Sequence, residues 1–140
     1  MTFVATARTG DPDFESRIAR HQSQRPAAWE TVEAADDLAG SIGAVAKDRL
    51  LLVDSVGLWV ATTLGDGEPI HSAWVPIERA IRARAAGVVL VSDEVGLSPV
   101  ALTDLGRRFV DALGWTNQRT AAIADEVHLV VAGLLVRLKP

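Results

Sequence analysis

Short, wholly apolar runs alternate along this chain with longer segments of mixed character. Phe3-Val4-Ala5 is the first run and predicts a strand over 3–5. Asp11 before Pro12 reads as a helix start, with a side-chain acceptor at the cap and proline in the first turn. That helix is expected over 12–24, ended by Pro26, which pushes Arg25 out of helical geometry. A second short strand is expected over 29–32. Leu38, Ile42 and Val45 recur at helical spacing and predict a helix over 34–46. Residues 50–53 are apolar throughout and stop at Asp54, the pattern of a buried parallel strand. A helix over 56–64 follows, then the turn-forming run Gly65-Asp66-Gly67-Glu68-Pro69.

The second half repeats the pattern. A helix is expected over 77–86, capped by Gly87. Residues 88–91 predict a strand buried on both faces, running into Ser92-Asp93-Glu94. Leu102, Leu105, Phe109 and Leu113 form an apolar stripe on a helix over 102–113, with Gly114 as its stop. Another helix is expected over 116–124. A strand over 127–131 and the pair Leu134-Leu135, after Gly133, complete the chain. Strands alternating with helices predict a single α/β domain over 1–140, built on a mostly parallel sheet.

Composition narrows the classes. The 140 residues carry a net charge of -4, which argues against a nucleic-acid partner bound through its phosphates. There is no cysteine, so thiol catalysis, disulfides and cysteine-ligated zinc are excluded. No apolar run approaches the roughly 20 residues that span a bilayer. The first residues lack the basic start and apolar stretch of a signal peptide. The expectation is a cytoplasmic protein without a membrane span.

In open parallel sheets, functional groups gather at the carboxyl ends of the strands. Three such ends are polar here: Ala5-Thr6-Ala7-Arg8, Asp54-Ser55 and Ser92-Asp93-Glu94. Residues 17–29 read RIARHQSQRPAAW, which sets His21 four residues from both Arg17 and Arg25. Neutral imidazole is a nucleophile, and guanidinium matches phosphate oxygens with paired donors. Spacing alone fits phosphate chemistry and also fits a solvated helix face that carries a histidine. Asp54, after an apolar strand, is placed like the acids that hold Mg²⁺ beside phosphates. A helix cap or a solvent contact is the plainer reading of Asp54, and of Glu94. His71 is expected in a solvated loop and His128 on the outward side of a strand. No H-x-H or H-x-x-x-H pair supports a histidine metal site. The four tryptophans default to core or interface packing. No G-x-x-x-x-G-K-[ST] phosphate loop occurs in the sequence.

Taken in order, Ala5 to Ala7, the RIARHQSQRPAAW segment, Glu33, LLVDSVGLWV from Leu51, VVLVSDEVG from Val88 and NQRTAAIADEVHLVVAG from Asn117 resemble a known family. It is the bifunctional adenosylcobinamide kinase / adenosylcobinamide-phosphate guanylyltransferase family of cobalamin biosynthesis. The resemblance implies a P-loop NTPase-like fold whose first strand–P-loop–helix unit is missing from this sequence. A sheet without that interior strand is expected to show unpaired edges. The resemblance also implies ATP or GTP as phosphoryl donor to adenosylcobinamide, with Mg²⁺. GMP is then transferred from GTP through a guanylylated histidine, which falls on His21. Nucleotide contacts fall on Ala5, Thr6, Ala7, Gln22, Ser23, Gln24, Arg25, Glu33 and Asp54, with Glu94 as a further candidate. The partner is the corrinoid substrate, and the assembly a homo-oligomer, usually a trimer. The competing expectations are a non-catalytic relic or assembly subunit of this family, and an unrelated α/β binding module.

Overall fold

Four strands pair in parallel in the order β2-β1-β3-β4: β1 (Thr2–Ala5), β2 (Glu30–Glu33), β3 (Leu51–Asp54) and β4 (Val88–Val91). The computed structural model describes residues 1–7, 20, 23, 25–34, 36–97 and 99–140. The helix expected over 12–24 therefore lies outside the described residues, apart from Arg20 and Ser23. Because β3 pairs directly with β4, the sheet formed by the described residues has no empty interior position. The unpaired edges expected inside the sheet are not seen there.

Alternation along each strand sends side chains to opposite faces. Val4, Leu51 and Val53 lie on one face and are fully buried. They pack in one core cluster with Leu38 and Ile42 of α1 (Leu38–Ala44), Val56, Trp59 and Val60 of α2 (Val56–Gly65), and Ile70, Trp74 and Ile77 of α3 (Ile70–Arg82). Leu113 of α4 (Asp104–Ile123) closes the cluster. Each fully buried aliphatic or aromatic side chain contributes about 1.5–3 kcal/mol, so this layer carries the fold. β4 differs from the expectation of burial on both faces. Its Val89 and Val91, which share the face of Leu52 and Asp54, are 46% and 40% exposed.

Three helices differ from the sequence pattern for definable reasons. α1 starts at Leu38 because Asp37 caps it, accepting from the Gly40 amide at 2.7 Å. α3 begins seven residues before the predicted start at Ile77, and runs through Pro76. Proline leaves the Ser72 carbonyl without an intrahelical donor, but Ile70, Trp74 and Ile77 bury at helical spacing and hold the turn. α4 is one helix where two were expected. Leu113 and Thr116, on either side of Gly114, are both fully buried, and that packing outweighs the roughly 1 kcal/mol that glycine costs a helix. The start of the expected stripe is not core, since Leu102 is almost fully exposed.

The last two strands, β5 (Val127–Val131) and β6 (Leu134–Lys139), form a separate antiparallel hairpin. Gly133 supplies the positive φ its tight turn requires. Lys139 Nζ reaches back to the carbonyls of Ala121 and Ala124, at 3.0 and 2.5 Å, at the end of α4. A cation there complements the helix dipole.

Candidate functional site

The carboxyl ends of β1, β3 and β4 lie at the same edge of the sheet, because the strands are parallel and in register. Ala5 stands between two acids, opposite Glu33 on one side and Asp54 on the other. Paired residues of parallel strands share a face, so Glu33 and Asp54 flank Ala5 on the face away from the helical core.

Thr6 fixes this edge. Its hydroxyl donates to the Ser55 carbonyl at 2.7 Å and accepts from the Ser55 amide at 2.8 Å, both within a buried environment. The Thr6 amide also donates to the Asp54 carbonyl at 3.2 Å. The chain leaving β1 is thus tied to the chain leaving β3. Ser55 in turn caps α2, accepting from the Leu58 amide at 3.2 Å. Asp54 therefore sits between a strand and a capped helix, half-buried. Ala5 and Ala7 are partly buried, and Glu33 is exposed.

Arg25 lies on the same face. Its guanidinium carbon is 3.5 Å from the centre of the Phe3 ring, and Nη1 donates to Thr31 Oγ1 at 3.2 Å. Burial lowers its pKa, while the carboxylates of Asp54 and Glu33 raise it. Arginine keeps its charge under such shifts. The result is one oriented cation among two acids, seated on an aromatic plate. Phe3 and Thr31 were not among the predicted site residues. Their signal was the strand alternation itself, which puts Phe3, Thr31, Ala5 and Glu33 on one face.

His21, Gln22 and Gln24 lie outside the described residues. Ser23 is described and exposed, and its hydroxyl donates to the Arg20 carbonyl at 2.8 Å. Glu94 is exposed, and its Oε1 accepts from the Gly96 amide at 2.5 Å. His71 is not in a loop. It occupies the first turn of α3, with its ring centre 4.2 Å from that of Trp115. His128 stands on β5 near Glu126, 3.9 Å away, and is part-exposed as expected. Trp59 and Trp74 are core residues in contact, with ring centres 5.8 Å apart. Among the described residues, no three His, Cys, Asp or Glu side chains cluster closely enough to cage a metal ion. No described helix is long and apolar enough to cross a membrane.

Comparisons with known proteins identify the family. The family model described as cobinamide kinase / cobinamide phosphate guanyltransferase matches residues 1–138. The chain is 36% identical over 142 residues to the bifunctional adenosylcobalamin biosynthesis protein CobP of Pseudomonas aeruginosa, covering 99% of this chain and 82% of that protein. It is 36% identical over 155 residues to the bifunctional adenosylcobalamin biosynthesis protein CobU of Salmonella typhimurium, and 35% identical to that of Escherichia coli. In both cases the match covers 99% of this chain and 86% of the other. An α/β sheet with its polar groups at one edge, matched along almost its whole length, belongs to the cobinamide kinase / cobinamide phosphate guanyltransferase family.

Proposed function

We propose that this chain acts in cobalamin biosynthesis as an adenosylcobinamide kinase / adenosylcobinamide-phosphate guanylyltransferase, with His21 as the guanylyl acceptor. The observation that carries the reading is Arg25, held over Phe3 between Glu33 and Asp54 and four residues from His21 in sequence. In the transfer, the His21 imidazole attacks the α-phosphorus of GTP. A P–N bond forms, the bond to pyrophosphate breaks, and the imidazole proton passes to solvent. A phosphate oxygen of adenosylcobinamide phosphate then attacks the same phosphorus. The P–N bond breaks, His21 regains a proton, and the guanylyl group becomes part of a diphosphate. Splitting one displacement into two is the general advantage of a covalent nucleophile. Arg25 offsets the negative charge that develops on the phosphoryl oxygens.

Ala5, Thr6 and Ala7 line the strand edge beside the nucleotide, and Gln22, Ser23, Gln24 and Glu33 complete its contacts. ATP or GTP serves the kinase step at the aminopropanol hydroxyl. Magnesium beside phosphates takes one or two carboxylates and keeps several waters. A half-buried Asp54 at a strand end, with no cage of other ligands around it among the described residues, fits that mode; when bound, the ion would neutralise triphosphate charge. The exposed apolar side chains of β5 and β6, among them Leu134 and Leu135, are consistent with a homo-oligomer, which we read as a trimer from the family resemblance.

Incubation with GTP labelled at the α-phosphate and Mg²⁺ is the test. An acid-labile, base-stable protein adduct is expected, and His21→Ala is expected to abolish it. A wild-type protein that binds GTP without forming the adduct would instead establish a non-catalytic member of the family.

A further inference from the structure

The loop that leaves β4 is gripped from two sides. From α4, Asn117 Oδ1 accepts the Ser92 hydroxyl at 2.6 Å, and Asn117 Nδ2 donates to the Asp93 carbonyl at 2.9 Å. One amide side chain thus fixes a side chain and the main chain of adjacent residues. From α2, Gly57 leaves room that no other residue would leave. A Cβ at that position would collide with Asp93 Oδ2. The Asp93 carboxylate therefore rests on the first turn of α2, three residues beyond Asp54, where unpaired helix amides favour negative charge. Glu94 turns away and accepts from its own loop at Gly96. Asp93, rather than Glu94, is the acid of this loop that lies against the start of α2.

We propose that Asn117 and Gly57 are positioning residues that set Asp93 against the Asp54–Ser55 corner, forming one wall of the nucleotide site. The proposal rests on the guanylyl-transfer reading above. Two consequences follow from the geometry. Removing the Asn117 amide frees the loop and displaces Asp93. Adding a methyl at Gly57 displaces Asp93 while the loop remains tied to Asn117. A purely structural role for Gly57 predicts the opposite for its variant, because alanine favours the helix over glycine.

Three variants test this in the intact chain: Asn117→Ala, Ser92→Ala and Gly57→Ala. Two readouts are taken: hydrogen exchange of the peptide covering residues 92–97 without nucleotide, and the GTP concentration that half-saturates adduct formation. Asn117→Ala is expected to speed exchange and to raise the half-saturating concentration about tenfold, the scale of one or two lost hydrogen bonds. Ser92→Ala keeps the bond to the Asp93 carbonyl and is expected to raise it about threefold. Gly57→Ala is expected to raise it with exchange unchanged and the melting midpoint no lower than wild type. Unchanged exchange in Asn117→Ala overturns the clamp. Faster exchange in Asn117→Ala, with half-saturation unchanged in that variant or in Gly57→Ala, overturns the positioning role. An adduct missing from wild type overturns the functional reading and the proposed role with it, whatever the exchange shows.

Discussion

The two ends of the same parallel sheet are secured by different chemistry. At the amino end a single side chain does most of the tying. Arg84 donates from Nη1 to the carbonyls of Ile42 and Val45, and from Nη2 to those of Ala46 and Arg49, at 2.6–3.1 Å. These carbonyls belong to the end of α1 and the loop into β3, where a helix terminus must find partners outside its own ladder, and that of Ala46 accepts from the Arg49 amide as well. Arg49 adds an ion pair with Glu30 at the start of β2. A cavity of about 250 Å³ at this end is lined by Thr2, Val32, Ala44 and Val45. Among the described residues, the carboxyl end has no such charged knot. It is held by the neutral Thr6–Ser55 exchange, so Glu33, Asp54 and Arg25 are not consumed in the fixing. The amino end uses its charges on its own backbone. The carboxyl end keeps them available to a ligand.

The contrast can be broken at either end. The largest loss of stability is expected from Arg84→Met, which removes four charge-assisted hydrogen bonds. A cost of about 3 kcal/mol is expected, or a midpoint lower by roughly 10 °C in thermal melts. Adduct formation measured well below that midpoint is expected to remain. If it is lost, the two ends are not separable in the way described. Thr6→Val keeps the shape but leaves the buried Ser55 amide without its partner and takes one of two donors from the Ser55 carbonyl, which keeps the Trp59 amide. About 2 kcal/mol of stability should go in denaturant titrations, and adduct formation should fall with it at every temperature. A variant that folds less well yet reacts normally would make Thr6 a fold residue only.

The smallest effect concerns charge away from both ends. Glu78 on α3 is bonded by Arg82 at 3.0 Å and Arg119 of α4 at 3.1 Å. Its pKa is lowered, chiefly by the hydrogen bond from Arg82, then against the opposing effect of burial, by Arg119. A lowered acid contributes stability that is complete above its ordinary value of 4.5 and is lost as pH falls through the folded value. Glu78→Gln should therefore flatten the acid limb of the stability profile and lower stability at neutral pH by less than about 1 kcal/mol, since both arginines are half in solvent. Equal acid limbs in urea titrations of variant and wild type would remove Glu78 from that account.

The parts of the molecule readable in sequence share one property: their residues state their own environment. Val4, Leu51 and Val53 alternate or run together, and the strands over 3–5, 50–53 and 88–91 follow within a residue. Asp54 announces a strand end, while the cap it also suggested is made by its neighbour Ser55. Features that failed depended on distant partners. Pro76 reads as a helix boundary until Trp74 and Ile77 are seen to bury on one side of it. Gly114 reads as a stop until Leu113 and Thr116 are seen in the core. His71 is exposed as expected but reads as a loop residue until α3 and its tilted contact with Trp115, more than forty residues away, are seen. Of the candidate site, Thr6, Arg25, Glu33 and Asp54 come together at one edge. Of their supports, Phe3 and Thr31 lie in none of the matched segments, while Asn117 and Gly57 lie in matched segments that assign them no role; register and contact supply it.

Helix α4 is about 30 Å long at 1.5 Å per residue over its 20 residues. Its attachments lie at separated points: Asn117 to the loop after β4, Arg119 to α3, and the carbonyls of Ala121 and Ala124 to Lys139 of the hairpin. Sliding by one turn would break all three together, whereas fraying at the amino end would break none of them. The helix has lost its axial freedom and kept its freedom to fray only at the end away from these ties. The loop beside Asp54 thus inherits its position from a helix that cannot shift along its own axis.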